Sequence, residues 1–185
     1  MNEQNKKLET LKKRCVTASK VVTVFQIIII VGIVIAFIAG GYLFTSADEV
    51  NPQILEGIEK GYLDIETDLQ YHGLFELCVE VQDYYSADDY AHPLGITCMV
   101  AACTCAMVAV ILIFIKKIFT IIEKENNPFS ENCLKQLKIS FIIIAITAFL
   151  TLSVGFGIIT SLILFCIYSI FQYGAALQTE IDETL

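Results

Sequence analysis

Val21 to Phe44 runs through 24 residues without a charge, and Leu94 to Ile115 through 22. Each matches the roughly 20 apolar residues that carry a helix across the hydrocarbon core of a bilayer. A third uncharged stretch, Ile139 to Gln178, holds 40 residues. As one helix it would measure about 60 Å against a core of about 30 Å, so it has to double back. Val154-Gly155-Phe156-Gly157 marks the hinge, because two glycines open backbone angles that other residues avoid. The pattern predicts an all-α membrane protein with four transmembrane helices, over 21–44, 94–115, 139–154 and 158–178, the last two forming a tight hairpin.

The polar segments between these runs set an orientation. Residues 1–20 carry six bases and two acids, residues 116–138 five bases and three acids, and residues 45–93 one base and twelve acids. The excess of Lys and Arg places 1–20, 116–138 and the tail 179–185 in the cytoplasm, and 45–93 outside a bacterial plasma membrane. The tail has three acids and no base, which weighs little because acids hardly enter the rule. A cleaved signal peptide fits the first run less well than a signal anchor, since its apolar core exceeds the usual ~7–15 residues. Tyr42, Phe44, Tyr84, Tyr85 and Tyr90 at one end, and Phe119, Phe129 and Tyr173 at the other, suit the aromatic belts of the two interfaces.

The acidic loop changes period along its length. Asn51-Pro52 predicts a helix start, with Asn as cap and Pro in first position, and Ile54, Leu55 and Ile58 give it an apolar face ending near Gly61. Leu63, Ile65, Thr67 and Leu69 then alternate with polar residues, as do Phe75, Leu77, Val79 and Val81, which predicts a β-hairpin. A three-residue turn at Tyr71-His72-Gly73 pairs Leu69 with Phe75 and Leu63 with Val81. Asp64, Glu66, Asp68, Glu76 and Glu80 share the opposite face. They form a candidate acidic surface for a divalent cation or a cationic peptide, the plainer reading being a solvated face. His72 and His92 with Asp88 and Asp89 match no strong metal-ligand spacing, so no metal or cofactor is expected.

Composition narrows the function. The chain is 56% apolar and 17% charged, with a net charge of −8, against about 45–50% and 25% in soluble domains. An ordinary soluble globule is excluded, and no basic face suits direct nucleic-acid binding. No Asp, Glu, Lys, Arg or His lies in any predicted span, which argues against an ion pathway or an intramembrane enzyme. Gly32, Ala36 and Gly40, and likewise Cys98, Ala102, Ala106 and Ala109, form small-residue faces that let helices approach closely and also suit a homo-oligomer. Ser140, Thr147 and Thr151 are expected to bond back to their own helix or a neighbour. Of seven cysteines, only Cys78 falls plainly outside, where a free thiol, an intermolecular bridge or a bridge to Cys98 would all serve.

The basic segment 116–138 predicts an ordered elbow. Asn127-Pro128-Phe129 breaks the chain, Ser130 caps the next helix, and Phe129 and Leu134 occupy the two staple positions. The string Ile122-Glu123-Lys124-Glu125-Asn126-Asn127-Pro128-Phe129-Ser130-Glu131-Asn132, followed later by Tyr173-Gly174-Ala175-Ala176-Leu177-Gln178 and Asp182-Glu183-Thr184-Leu185, resembles a bacterial membrane family catalogued as domain of unknown function 2975. The chain carries Ser169 and Gln172 where that family's pattern would place an acid and an arginine. The resemblance implies a small multi-pass protein, often encoded beside a helix-turn-helix regulator. The resulting expectation is a non-enzymatic sensor or regulator in contact with the lipid bilayer. Its inner surface, Asn127, Pro128, Phe129, Asn132, Gly174, Leu177 and Gln178, would hold a cytoplasmic transcription regulator. A small transporter, or an immunity-type protein against membrane-active peptides, is the alternative.

Overall fold

The computed structural model describes residues 3–62, 89–152 and 154–184. Five helices run through them: α1 (Glu3–Thr45), α2 (Ala47–Glu59), α3 (Ala91–Glu125), α4 (Glu131–Thr151) and α5 (Val154–Thr184). No strand occurs among the described residues, and the expected β-hairpin lies outside them. Four of the helices, all but α2, are long and apolar enough to cross a membrane. α1 packs chiefly on α3 and α5 on α4, and the two helical hairpins meet along α3 and α4.

α1 does not stop at the membrane boundary. Its 43 residues would extend about 64 Å, twice the hydrocarbon core. Between Glu3 and Val31 it contains neither Pro nor Gly, so nothing interrupts helix propagation from the basic segment into the apolar one. The antiparallel contact with α3 is tightest where glycines meet. A Cβ on Gly40 would lie 3.1 Å from the carbonyl oxygen of Gly95, and one on Gly95 would lie 2.8 Å from the Phe44 ring. Gly40 thus serves the close approach expected of its small-residue face, whereas Gly32 has nothing within 4 Å of a Cβ position. Ala102, on the facing small-residue stripe, is fully buried.

The expected start of α2 at Asn51 is corrected: the helix begins at Ala47, with Asn51 and Pro52 inside it. Pro52 leaves one carbonyl without its helical partner. Asn51 does cap a helix, but a different one. Its Oδ1 accepts the backbone N–H groups of Tyr90 (2.9 Å) and Ala91 (2.8 Å) at the start of α3, and its Nδ2 donates to Asp89 Oδ1 (3.0 Å). This clamp closes a small core of Ala47, Ile54 and Ala91, flanked by Leu43, Val50, Ile58, Tyr90 and Leu94.

The hinge between α4 and α5 is also displaced. α4 ends at Thr151 and α5 begins at Val154, so Gly155 and Gly157 are helical residues. Gly157 is needed for contact, since a Cβ there would overlap the Phe149 ring. Hydroxyls along the spans are spent within their own helices: Ser140 donates to Gln136 O (2.8 Å), Thr151 to Thr147 O (2.8 Å) and Ser161 to Gly157 O (2.8 Å).

α4 buries Cys133, Gln136, Leu137, Ser140 and Ala148. Gln136 is 4% exposed, and its Nε2 has no hydrogen-bond partner among the described residues. An orphaned buried donor costs about 1–3 kcal/mol. Gln136→Met keeps the volume and removes the donor, so the thermal midpoint in detergent is expected to hold or rise. A fall of several degrees would show that the amide has a partner.

Asn51→Ala is expected to destabilise the protein by about 1–3 kcal/mol, by stranding two backbone donors. Asp89 adds a pH dependence. Burial alone would raise its carboxyl, but hydrogen bonds from Asn51 and His92, with the His92 ring nitrogen 2.7 Å away, hold it below the ordinary range. Its folded value being depressed, its stabilisation is full above the unfolded value of about 3.9 and is lost as pH falls through the folded one. Acid unfolding curves of the wild type and of Asp89→Asn should therefore converge only below that range.

Candidate functional site

The elbow between α3 and α4 is built from short-range hydrogen bonds. α3 is capped by Asn126, which adopts a left-handed conformation (φ 52°) and returns its N–H to Ile122 O (2.9 Å). Asn is among the few residues that take this angle readily. Asn127 Oδ1 then accepts the N–H of Phe129 at 2.8 Å, closing a side-chain turn. Ser130 Oγ accepts the N–H of Cys133 at 3.3 Å, so the expected cap is in place.

Glu125 ties the two helix ends together. It accepts from Ser130 and from Asn132 Nδ2, the latter at 2.8 Å, and these bonds hold its carboxyl below the usual range. Behind the turn, Cys133 of α4 and Cys15 of α1 are both buried. Burial pushes both thiols up. The Glu123 charge adds to this at Cys15, and Glu125 and Cys15 add to it at Cys133. Both stay protonated at neutral pH and pack as small apolar groups, since thiol reactivity requires the thiolate. All six described cysteines are free.

Phe129 anchors the elbow on α5. Its ring lies over Gly174, where a Cβ would approach within 2.7 Å, and 5.9 Å from the Phe171 ring at a tilt of 48°. Beside this contact opens a cleft of about 310 Å³, lined by Asn127, Phe129, Glu131, Leu134, Ala175, Ala176, Gln178 and Thr179. The structure thus brings Asn127, Phe129, Gly174 and Gln178 together from two distant stretches of sequence. Pro128 sits in the turn, Asn132 is engaged with Glu125, and Leu177 is 41% exposed on the neighbouring face of α5. Glu131, Ala175, Ala176 and Thr179 also line the cleft. The helical spacing of 171, 174, 175 and 178 was the signal that would have grouped the α5 residues. The acidic surface of Asp64, Glu66, Asp68, Glu76 and Glu80, with Cys78, lies outside the described residues. No group of three or more His, Cys, Asp or Glu side chains among the described residues could hold a metal.

Ser130→Ala is expected to cost about 1 kcal/mol through loss of the cap. It also removes a donor from Glu125, so the carboxyl should titrate at higher pH in the variant. A carbon-detected NMR titration of a glutamate-labelled sample in micelles reads this shift. An unchanged Glu125 titration would disprove the assigned bond.

A scan against protein-family models finds no match for this chain, and searches of curated proteins and of solved structures find none either.

Proposed function

We propose that this chain is a non-enzymatic sensor or regulator of a bacterial plasma membrane, with both termini in the cytoplasm. Its elbow cleft docks a cytoplasmic helix-turn-helix transcription regulator. The resemblance of the elbow and the 173–178 segment to the bacterial membrane family supplies the partner class, and membership in that family is part of the proposal. The charge bias of the connecting segments supports the orientation.

The observation that carries the reading is the cleft itself. Anchoring a helix at an interface needs aromatic and basic side chains, but not a cleft of about 310 Å³ rimmed by Asn127, Glu131, Gln178 and Thr179. Mechanical continuity adds support. α2 is clamped through Asn51 to the first turn of α3, and α3 has no Pro after Pro93 and no Gly after Gly95. Its 35 residues form a rod of about 52 Å from the clamp to the elbow. A displacement of α2 by whatever binds the acidic loop is thereby carried to the other membrane face.

Photocrosslinking tests this reading. A benzophenone amino acid in place of Leu177 or Thr179 is expected to capture a DNA-binding protein in native cells, with the yield falling at least several-fold in Gln178→Ala. The same group in place of Ile28, 59% exposed in the middle of α1, should capture only lipid. Identical products at all three positions, or no DNA-binding protein at Leu177 and Thr179, would remove the regulator from the proposal.

A further inference from the structure

Several contacts fix the helices against one another along the membrane normal. Phe44 of α1 packs edge-on against His92 of α3 with ring centroids 5.4 Å apart, and Gly40 lies against Gly95. Near the opposite ends Cys15 is close enough to Glu123 to feel its charge. This antiparallel register brings Lys20 level with Lys116 and Lys117. At the elbow Asn132 meets Glu125, and one to two turns further along α4 Lys138 returns to within about one turn of the same level. Four lysines on three helices therefore mark one plane. An ammonium in the hydrocarbon centre costs about 2.5–3.5 kcal/mol on insertion scales, which holds this plane at the boundary.

The reach of each helix from that plane differs. α1 offers Val21–Phe44 and α3 offers Leu94–Ile115, about 36 and 33 Å. α4 has only Ile139 to its end at Thr151, about 20 Å. α5 matches it: Phe149 lies on Gly157 and Phe129 on Gly174, which sets Phe165 to Tyr168 level with Lys138. From Val154 to Tyr168 is about 22 Å. The α4–α5 tip thus ends more than about 10 Å short of the far ends of α1 and α3, and tilting the hairpin only shortens its reach.

The chemistry of the tip agrees with this depth. Leu152, Val154 and Phe156 are 48%, 62% and 62% exposed, and no charged residue occurs anywhere from Ile139 to Gln178. At the corresponding ends of α1 and α3 the chain instead shows Ser46, Asp48, Glu49, Asp89 and His92.

We propose that α4 and α5 form a hairpin that enters the bilayer from the lysine end and stops inside the opposite leaflet, the exposed side chains of Leu152, Val154 and Phe156 being covered by lipid acyl chains. Both helix termini still return to the lysine side. Unbonded backbone groups at a helix end are costly in hydrocarbon, so the hairpin favours a locally thin bilayer. The inference rests on membrane insertion alone and not on the proposed regulator.

The chain contains no Trp, so a single introduced Trp reports its own depth. Leu152→Trp, with Val154→Trp as a second tip variant and Phe44→Trp as the reference, is reconstituted in phosphatidylcholine vesicles. The lipids carry bromine either near the headgroup or near the chain ends. Quenching acts from both leaflets and does not depend on insertion direction. In long-chain bilayers both tip variants are expected to emit blue-shifted light and to be quenched more strongly by the deep bromines, while Phe44→Trp is quenched more strongly by the shallow ones. In short-chain bilayers the tip variants should shift toward shallow quenching. Tip tryptophans quenched like Phe44→Trp in long-chain bilayers, or emitting as in water, would overturn the proposal.

Discussion

An ammonium group does not settle in hydrocarbon, and this one constraint sets the frame for every long helix in the protein. Lys20, Lys116, Lys117 and Lys138 stand at one level only because glycines let α1 and α3 meet in a fixed register and because the elbow returns α4 toward α3. Had the elbow been a long flexible loop, Lys138 could have found the boundary at any offset from α3. Because it is instead a turn of a few residues locked by Asn126, Asn127, Ser130 and Glu125, the depth of the second hairpin is dictated by the first.

The elbow consequently carries two kinds of demand with few residues. Asn126 supplies the left-handed angle, Asn127 closes the turn, Ser130 caps α4, and Glu125 collects the donors of Ser130 and Asn132. These bonds are part-buried or exposed and individually modest, about 0.5–1.5 kcal/mol for a typical hydrogen bond. Phe129 adds the apolar contact that fastens the turn to α5. Gly174 is the complement of that ring, and the cleft opens where α5 moves on past it. The polar residues are therefore structural first, and the candidate docking surface is what they leave open on the rim, Glu131, Gln178 and Thr179, with Leu177 on the neighbouring face of α5.

Much of this was legible in the sequence. Long uncharged runs have few other meanings in a helix-forming chain, so the four apolar helices followed directly, and Ser130 after Asn127-Pro128 was a strong local cap signal. What failed were inferences that needed tertiary contact. Asn51-Pro52 reads as a helix start, yet the Asn51 side chain is claimed by the backbone of α3, some forty residues away. Gly155 and Gly157 read as a hinge because glycine permits turns, but glycine also permits contact, and Phe149 is the residue that needed Gly157. The convergence of Phe129 with Gly174 had a motif-like look in sequence, while the cleft beside it depends on the register of α4 with α5. That register is set by side-chain fit and cannot be read from hydropathy.

The pairing of helices has a further consequence for how the molecule can move. α1 and α3 share a long interface, as do α4 and α5 on a smaller scale, and the two hairpins are joined along α3 and α4. Gln136, buried on α4 with no hydrogen-bond partner for its Nε2 among the described residues, weakens the buried face of α4 on the elbow side of Lys138, while the closely packed glycines stiffen α1 against α3. A load applied to α2 therefore reaches the elbow through the stiffer pair. Rotation of α4–α5 about the Asn126–Ser130 turn would disturb fewer contacts than separation of α1 from α3. Any such rotation changes the width of the cleft between the elbow and α5 only if the Phe129 ring slides on Gly174. That contact, an aromatic face set against a bare backbone, ties the elbow to α5, so the cleft beside it keeps its width as long as the Phe129 ring stays seated.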